Sequence, residues 1–455
     1  MKKSTLLALL SITLCITACN NKKNKEDVDP NPLKDDEVEV RLPHSMNSDA
    51  KDYPIRVRFD DNFFKEDAKT FNKELAMLSL ANTFAASDSM FIEEFYGRLK
   101  FDTNIKYTNY GITPTEDTVG YSIAHKQIGE YDLLAISIRG FNYGKEWANN
   151  FLIGEEGNHY GFDARANEIY NDLKVELEVR NYENVKLWIT GYSRGGGISN
   201  VLSHKILSSN EIDIAPEDMY VYTFEAPRGL TEENAVAYEN VHNVINNADL
   251  ITYVAPEEYG LYRCGVDVQI YFSDTNISRL LYDLDKDITF PAFTATSDYA
   301  NEQECIQWMI SSLTREMDTS DPDYAAETAH TRQDFVNNYQ NGVRYILGLF
   351  FSLSSSTTNK LMKKLDESSL TEKASLLATD GIYNFIKPVL DEDHVPYVDE
   401  ELRTNCNVMT KFLQHNASIL LSVMMSDSGM ENLKHIIYMH MPEAEYVLLK
   451  DLKVY

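Results

Sequence analysis

Basic residues are in deficit: 42 Lys and Arg stand against 71 Asp and Glu, a formal charge of −29. A duplex-binding surface must neutralise phosphates with clustered cations, so this balance, with no such cluster, excludes a nucleic-acid partner. Cysteine is rare too. Beyond position 19 only Cys264, Cys305 and Cys406 remain, too few for a disulfide scaffold, although an exported chain could form one bridge. No CxxC spacing exists, which leaves a metal or redox site without support. The 20 Gly and 13 Pro are scattered and exclude a collagen-like chain, while 28 Tyr and 20 Phe spread along nearly the whole length exclude disorder for most of it. No stretch reaches the roughly 20 apolar residues that a bilayer-spanning helix needs. What is present, 43% hydrophobic residues over 455 positions, suffices for a sizeable core in one large domain or two ordinary ones.

Lys2 and Lys3 precede an apolar stretch over residues 5–16 that is too short to span a membrane, the pattern of an export signal. It ends in Ile16-Thr17-Ala18-Cys19, which resembles the bacterial lipobox. The resemblance implies removal of residues 1–18, lipidation of Cys19, and a bacterial envelope lipoprotein anchored to a membrane without a spanning helix. Residues 19–48 are rich in Lys, Asn, Asp, Glu and Pro and read as a solvated tether.

Helical and strand patterns then alternate. Residues 63–99 read as two helices, with Phe71, Leu75, Leu78 and Phe91, Phe95, Leu99 at helical spacing. Residues 131–140 form a nearly continuous apolar run ending in Gly, a buried strand. A helix over 162–179, a strand over 185–190, a helix towards Leu207 and short strands at 220–224 and 241–245 follow. This alternation predicts an α/β architecture, a mostly parallel sheet covered on both faces. From about 290 to 395 every apolar pattern is helical, which predicts a helical insertion or cap within a domain spanning 49–455.

The sharpest chemical signal is Gly191-Tyr192-Ser193-Arg194-Gly195. GxSxG needs small residues two before and two after the serine because the nucleophile sits on a strained turn between a strand and a helix. A buried strand enters this motif and an apolar-striped helix leaves it, which separates it from a chance match.

Further segments resemble, in order, the class 3 (fungal-type) lipases of the α/β-hydrolase fold. They are Ile136-Ser137-Ile138-Arg139-Gly140-Phe141, then Trp147 and Asn150, His159-Tyr160-Gly161-Phe162, the elbow, Thr223-Phe224-Glu225-Ala226-Pro227-Arg228, and Asn246-Asn247-Ala248-Asp249-Leu250-Ile251. The resemblance covers roughly residues 121–256. Departures are Phe141 for the usual Thr, Tyr192 and Arg194 for His and Leu, and Glu225 for Gly. It implies a serine ester hydrolase without cofactor or metal, acting on an ester or lipid substrate through an acyl-enzyme.

A serine hydroxyl needs a histidine base oriented by a carboxylate, and this fold orders them Ser, acid, His. Ser193 is the expected nucleophile and Asp249, just beyond a strand end, the expected acid; Glu225 is the rival. Chain order removes His44, His125, His159, His204 and His242 and leaves His330, His394, His415, His435 and His440. Pro442 suits the first turn of a final helix, so His440 lies in a loop just before it, and His435 is the alternative. The oxyanion hole is expected from the backbone N–H groups of Arg194 and Phe141. Asp283-x-Asp285-x-Asp287 lacks the Gly and terminal Glu of a calcium loop and reads as a solvated acidic turn. A non-catalytic surface lipoprotein that uses the same fold for binding is the competing reading; nucleophile, acid and candidate base in the required order favour the enzyme. If Cys19 carries the anchor, Cys19→Ser shifts the protein from the membrane fraction to the soluble one; persistence on membranes after a high-salt wash contradicts the lipobox.

Overall fold

The computed structural model describes residues 33–42, 53–102, 105–110, 115, 117–140, 144–180, 182–271, 274–286, 288, 290–314, 331–415 and 427–453. Residues 1–18, Cys19, Phe141 and His330 lie outside them.

Strands β1 (Glu37–Leu42) and β2 (Tyr53–Arg58) form an antiparallel ribbon. Val38, Val40 and Leu42 pair with Val57, Ile55 and Tyr53, and all six side chains are buried. Residues 37–42 of the stretch 19–48, expected to be a tether, are thus a strand, while 19–32 and 43–48 lie outside the described residues. The polar composition of that stretch conceals a period-two alternation in Val38-x-Val40-x-Leu42, and burial of one face outweighs the polar residues between.

The main sheet has seven strands in chain order: β3 (Lys106–Thr108), β4 (Tyr121–Ile128), β5 (Tyr131–Ile138), β6 (Val185–Tyr192), β7 (Met219–Phe224), β8 (Val241–Asn246) and β9 (Val266–Ile270). Strands β3 to β5 pair antiparallel, and β5 to β9 pair parallel. The sheet is therefore mostly parallel, and helices cover both faces. Leu134, Ile136, Ile138, Ile189 and Val221 face α3 (Tyr160–Arg180) and α4 (Arg194–Ser208). Leu133, Ala135, Trp188, Tyr222 and Phe224 face the other way, towards a core containing α1 (Lys73–Ala85) and α2 (Ser89–Arg98). Alternate residues of one strand thus fill two cores, which is why β5 and β6 read as apolar runs without alternation. Helix α1 starts later than the apolar pattern of residues 63–99 predicts, because Asn72 caps it by accepting a hydrogen bond from Leu75 N–H at 3.0 Å. Phe63 and Phe64 sit in a short 3₁₀ turn before it.

Beyond the sheet come α5 (Asp274–Leu284) and α6 (Glu302–Thr314), whose Ile277, Leu281, Cys305, Ile306 and Met309 join the α1 core. Helices α7 (Arg332–Asn338), α8 (Gln340–Ser352), α9 (Ser355–Glu367), α10 (Leu370–Ser375), α11 (Gly381–Glu392) and α12 (Asp399–His415) follow. Ile346, Ile382, Ile386, Leu402 and Leu413 bury against one another rather than against the sheet. The helical insertion expected over about 290–395 is thus shifted: α6 belongs to the main core, and the mutually packed helices run from Arg332 to His415. Helices α13 (Asp427–Tyr438) and α14 (Pro442–Asp451) return to the main core through Ile436, Tyr438, Leu448 and Leu449. Cys264, Cys305 and Cys406 are buried free thiols, and among the described residues no helix is long and apolar enough to cross a membrane.

Because β1 is part of the core, Leu42→Ala should lower unfolding stability by about 2–5 kcal/mol, the cost of emptying a buried leucine site. Deleting residues 20–32 should leave it unchanged. Urea unfolding measures both, and equal effects would return β1 to the tether.

Candidate active site

Strand β6 ends at Tyr192, and the next residue turns the chain into α4. Ser193 takes φ 52° and ψ −124°, a left-handed conformation that costs a residue with a Cβ of the order of 1–3 kcal/mol. The surroundings hold it there: Ser193 N–H donates to the Phe224 carbonyl at 2.8 Å, and Gly197 N–H to the Ser193 carbonyl at 3.0 Å. The flanking glycines are sterically required. A Cβ on Gly191 would run into the Gly195 carbonyl, and one on Gly195 would stand 2.6 Å from the Ile138 carbonyl oxygen.

The serine meets its partners above the sheet. His440 Nε2 lies 2.9 Å from Ser193 Oγ, and His440 Nδ1 lies 2.6 Å from Asp249 Oδ2. Asp249 follows β8 and also accepts from Ile251 N–H at 2.8 Å. With both ring nitrogens engaged, the tautomer that fits carries its proton on Nδ1, facing the carboxylate, and leaves Nε2 to accept from the serine. His440 sits in the loop between α13 and α14, and two bonds fix that loop to the sheet. Tyr192 donates its hydroxyl to the His440 carbonyl at 2.5 Å, and Asn246 Nδ2 donates to the Met439 carbonyl at 3.3 Å. Burial pushes the Tyr192 phenol well above its usual range, so it remains a donor. Asp249, Leu250, Ile251, Ile436, Ile437 and Met441 line a hollow beside His440 with room for about one water molecule.

The structure separates the two candidate bases. His435 is buried one helical turn earlier, its Nδ1 2.8 Å from the Pro291 carbonyl and its ring 4.7 Å from Phe290. It packs α13 against the chain before α6 and stands outside the site. His159 is also structural: burial lowers its pKa to about 4, and the neutral ring donates from Nε2 to the Asn150 carbonyl at 3.0 Å and lies flat on Phe162.

Residues 135–259 match the class 3 lipase family. That span holds Ser193 and Asp249 but not His440. No curated protein matches the chain. Among solved structures, lipase from Rhizopus microsporus var. chinensis is similar at 18% identity over 44% of this chain and 75% of its own, with a TM-score of 0.34. Lipase II from Rhizopus niveus is similar at 17% identity over 48% and 82%, with a TM-score of 0.32.

Of the two oxyanion donors expected from sequence, Arg194 N–H lies at the first turn of α4, beside Ser193, while Phe141 is outside the described residues. The Arg194 side chain does something the motif did not signal. It turns inward to Glu146, with Nη1 3.3 Å from Oε2. The same carboxylate binds the Arg139 guanidinium and accepts from Thr118 Oγ1 at 3.0 Å. Glu146 lies in the 3₁₀ turn Gly144–Phe151 that follows residues 141–143. One fully buried carboxylate therefore ties the elbow to the loop facing it. The carboxylate that meets the histidine is Asp249, and Glu225, the rival acid, is buried beside it. Glu445, one turn into α14, is buried there as well, and no sequence signal marked it.

Removing the negative charge between two buried guanidinium groups is costly. Glu146→Gln should destabilise the fold by about 3–5 kcal/mol, read as a lowered urea midpoint. A change below about 1 kcal/mol would mean that the network contributes little to holding the elbow.

Proposed function

We propose that this protein is a serine ester hydrolase, lipase-like, that cleaves carboxylic esters through Ser193, His440 and Asp249. The observation that carries the reading is the unbroken chain of contacts from Asp249 through His440 to a serine held at positive φ. In the acylation step Ser193 Oγ attacks the ester carbonyl as His440 Nε2 takes its proton, and Asp249 stabilises the imidazolium. The carbonyl oxygen becomes an oxyanion facing the Arg194 N–H, with a second donor expected from Phe141. His440 then gives the proton to the departing alkoxide, which leaves as the alcohol. A water activated by the same nitrogen hydrolyses the acyl-enzyme and restores the serine. The class 3 lipase match supports an ester or lipid as the substrate. On the sequence of its first nineteen residues, we assign the enzyme to the bacterial envelope as an exported lipoprotein held at a membrane by Cys19.

A fluorophosphonate probe should label the wild type and not Ser193→Ala, and Ser193→Ala should abolish hydrolysis of a p-nitrophenyl ester series with little change in Tm. His440→Ala should lower kcat by roughly a thousandfold or more, the loss expected for a triad base. His435→Ala should lower Tm and change kcat little. Labelling of Ser193→Ala at the wild-type rate, or a full loss from His435→Ala alone, overturns the assignment.

A further inference from the structure

Three carboxyl groups converge behind the triad from three elements: Asp249 after β8, Glu225 after β7 and Glu445 in the first turn of α14. All are fully buried. Glu225 lies within side-chain interaction range of both of the others, and both of its oxygens face Asn246 N–H, at 3.2 and 3.3 Å. Neither Glu445 oxygen meets a protein N–H or hydroxyl donor among the described residues; what it meets is the Glu225 carboxyl. Two carboxyls in hydrogen-bond contact need a proton between them, and three like charges in one dry pocket cannot all ionise. Asp249 is the member with donors suited to an anion, His440 Nδ1–H and Ile251 N–H. Glu225 is the member that touches both neighbours.

We propose that Glu225 is held as a neutral carboxylic acid that donates its hydrogen bond to Asp249, with Glu445 as the competing acceptor, and so acts as a positioning residue for the triad. The proposal deepens the hydrolase reading and rests on it for its consequence in catalysis. A neutral Glu225 fixes the rotamer of Asp249 and adds no second negative charge near His440. An ionised Glu225 would favour the imidazolium in the resting enzyme and take the base out of service. The charged or titratable groups that act on this acid are Asp249, Glu445 and Tyr192, with His440 beyond Asp249; Tyr192 stays uncharged, its phenol raised by burial. Burial raises Glu225 well above the ordinary range, helped by the charges of Glu445 and Asp249, and burial raises Glu445 to about 7. Below neutrality Glu445 carries its own proton, so Glu225 serves Asp249 alone. Above it, the Glu445 carboxylate competes for the single Glu225 proton.

A carboxyl that holds its proton to about 7 when folded, and to 4.5 otherwise, stabilises the fold fully below 4.5 and loses that contribution as pH climbs to about 7. The test uses the full chain. On the Ser193→Ala background, infrared spectra at pH 6 should contain a protonated-carboxyl stretch that Glu225→Gln diminishes, and the fall in Tm between pH 5 and 8 should be smaller in Glu445→Gln. With Ser193 intact, Glu225→Ala should lower kcat about ten- to a hundredfold, the worth of one hydrogen bond to an ionised group, with KM nearly constant. Glu225→Gln, which keeps a neutral donor, should recover most of that loss. Glu445→Gln should remove an ionisation near pH 7 from the kcat/KM profile. Glu225→Gln as damaging as Glu225→Ala, or wild-type pH profiles and Tm slopes in both Gln variants, would overturn the proposal. An unlabelled Ser193 and no ester turnover would instead defeat the hydrolase reading, and the infrared and Tm measurements would still decide where the proton sits.

Discussion

Ser193 and His440 lie 247 residues apart in sequence and 2.9 Å apart in space, and the site depends on the chain's return across that gap. From Asp249 alone the excursion is 191 residues. Closing a loop costs only about 0.6 kcal/mol more for each doubling of its length, so a long helical insertion between Asp249 and His440 is thermodynamically inexpensive. What matters is that its far end docks firmly. Helix α14 supplies that through Leu448 and Leu449 in the main core, and the Tyr192 hydroxyl and Asn246 amide then locate the histidine loop to within a hydrogen bond.

The inserted helices are joined to the opposite side of the site. Arg332, at the start of α7, is buried and donates to the backbone carbonyls of Ile153, Gly154, Glu156, Gly157 and Asn158. Gln340 accepts from Ile153 N–H at 2.9 Å, and Trp147 stacks on Phe351 of α8. A guanidinium is suited to this role, since its fixed fork of donors can satisfy many carbonyls of an irregular loop at once. Trp147 follows Glu146 directly, so the insertion grips the very turn that Arg139 and Arg194 hold from below.

Much of the sheet is legible in the sequence because β5, β6, β7 and β8 are buried on both faces and read as apolar runs. The elbow is legible because sterics force glycine at 191 and 195. Strand β4 is not, since His125, Lys126 and Gln127 interrupt its apolar pattern beyond the three residues that β3 pairs. Strand β1 hides inside a polar composition. His440 could be narrowed to a pair by chain order and Pro442, but only the placement of His435 against Pro291 and Phe290 separates the two. Glu445 and the inward turn of Arg194 carry no local signal, because each acquires its meaning from a partner on another element.

The strands of the main sheet lie side by side in the order in which the chain is made. Each new strand can add to an edge already present, with no slot left open for a later one. The exception to this orderly growth is the site: Ser193 and Asp249 are laid down with β6 and β8, whereas His440 arrives only just before the last helix. A nascent or truncated chain that ends before α14 therefore lacks both His440's anchored loop and the Leu448 and Leu449 packing of the main core, so the site and the last of the scaffold are completed together.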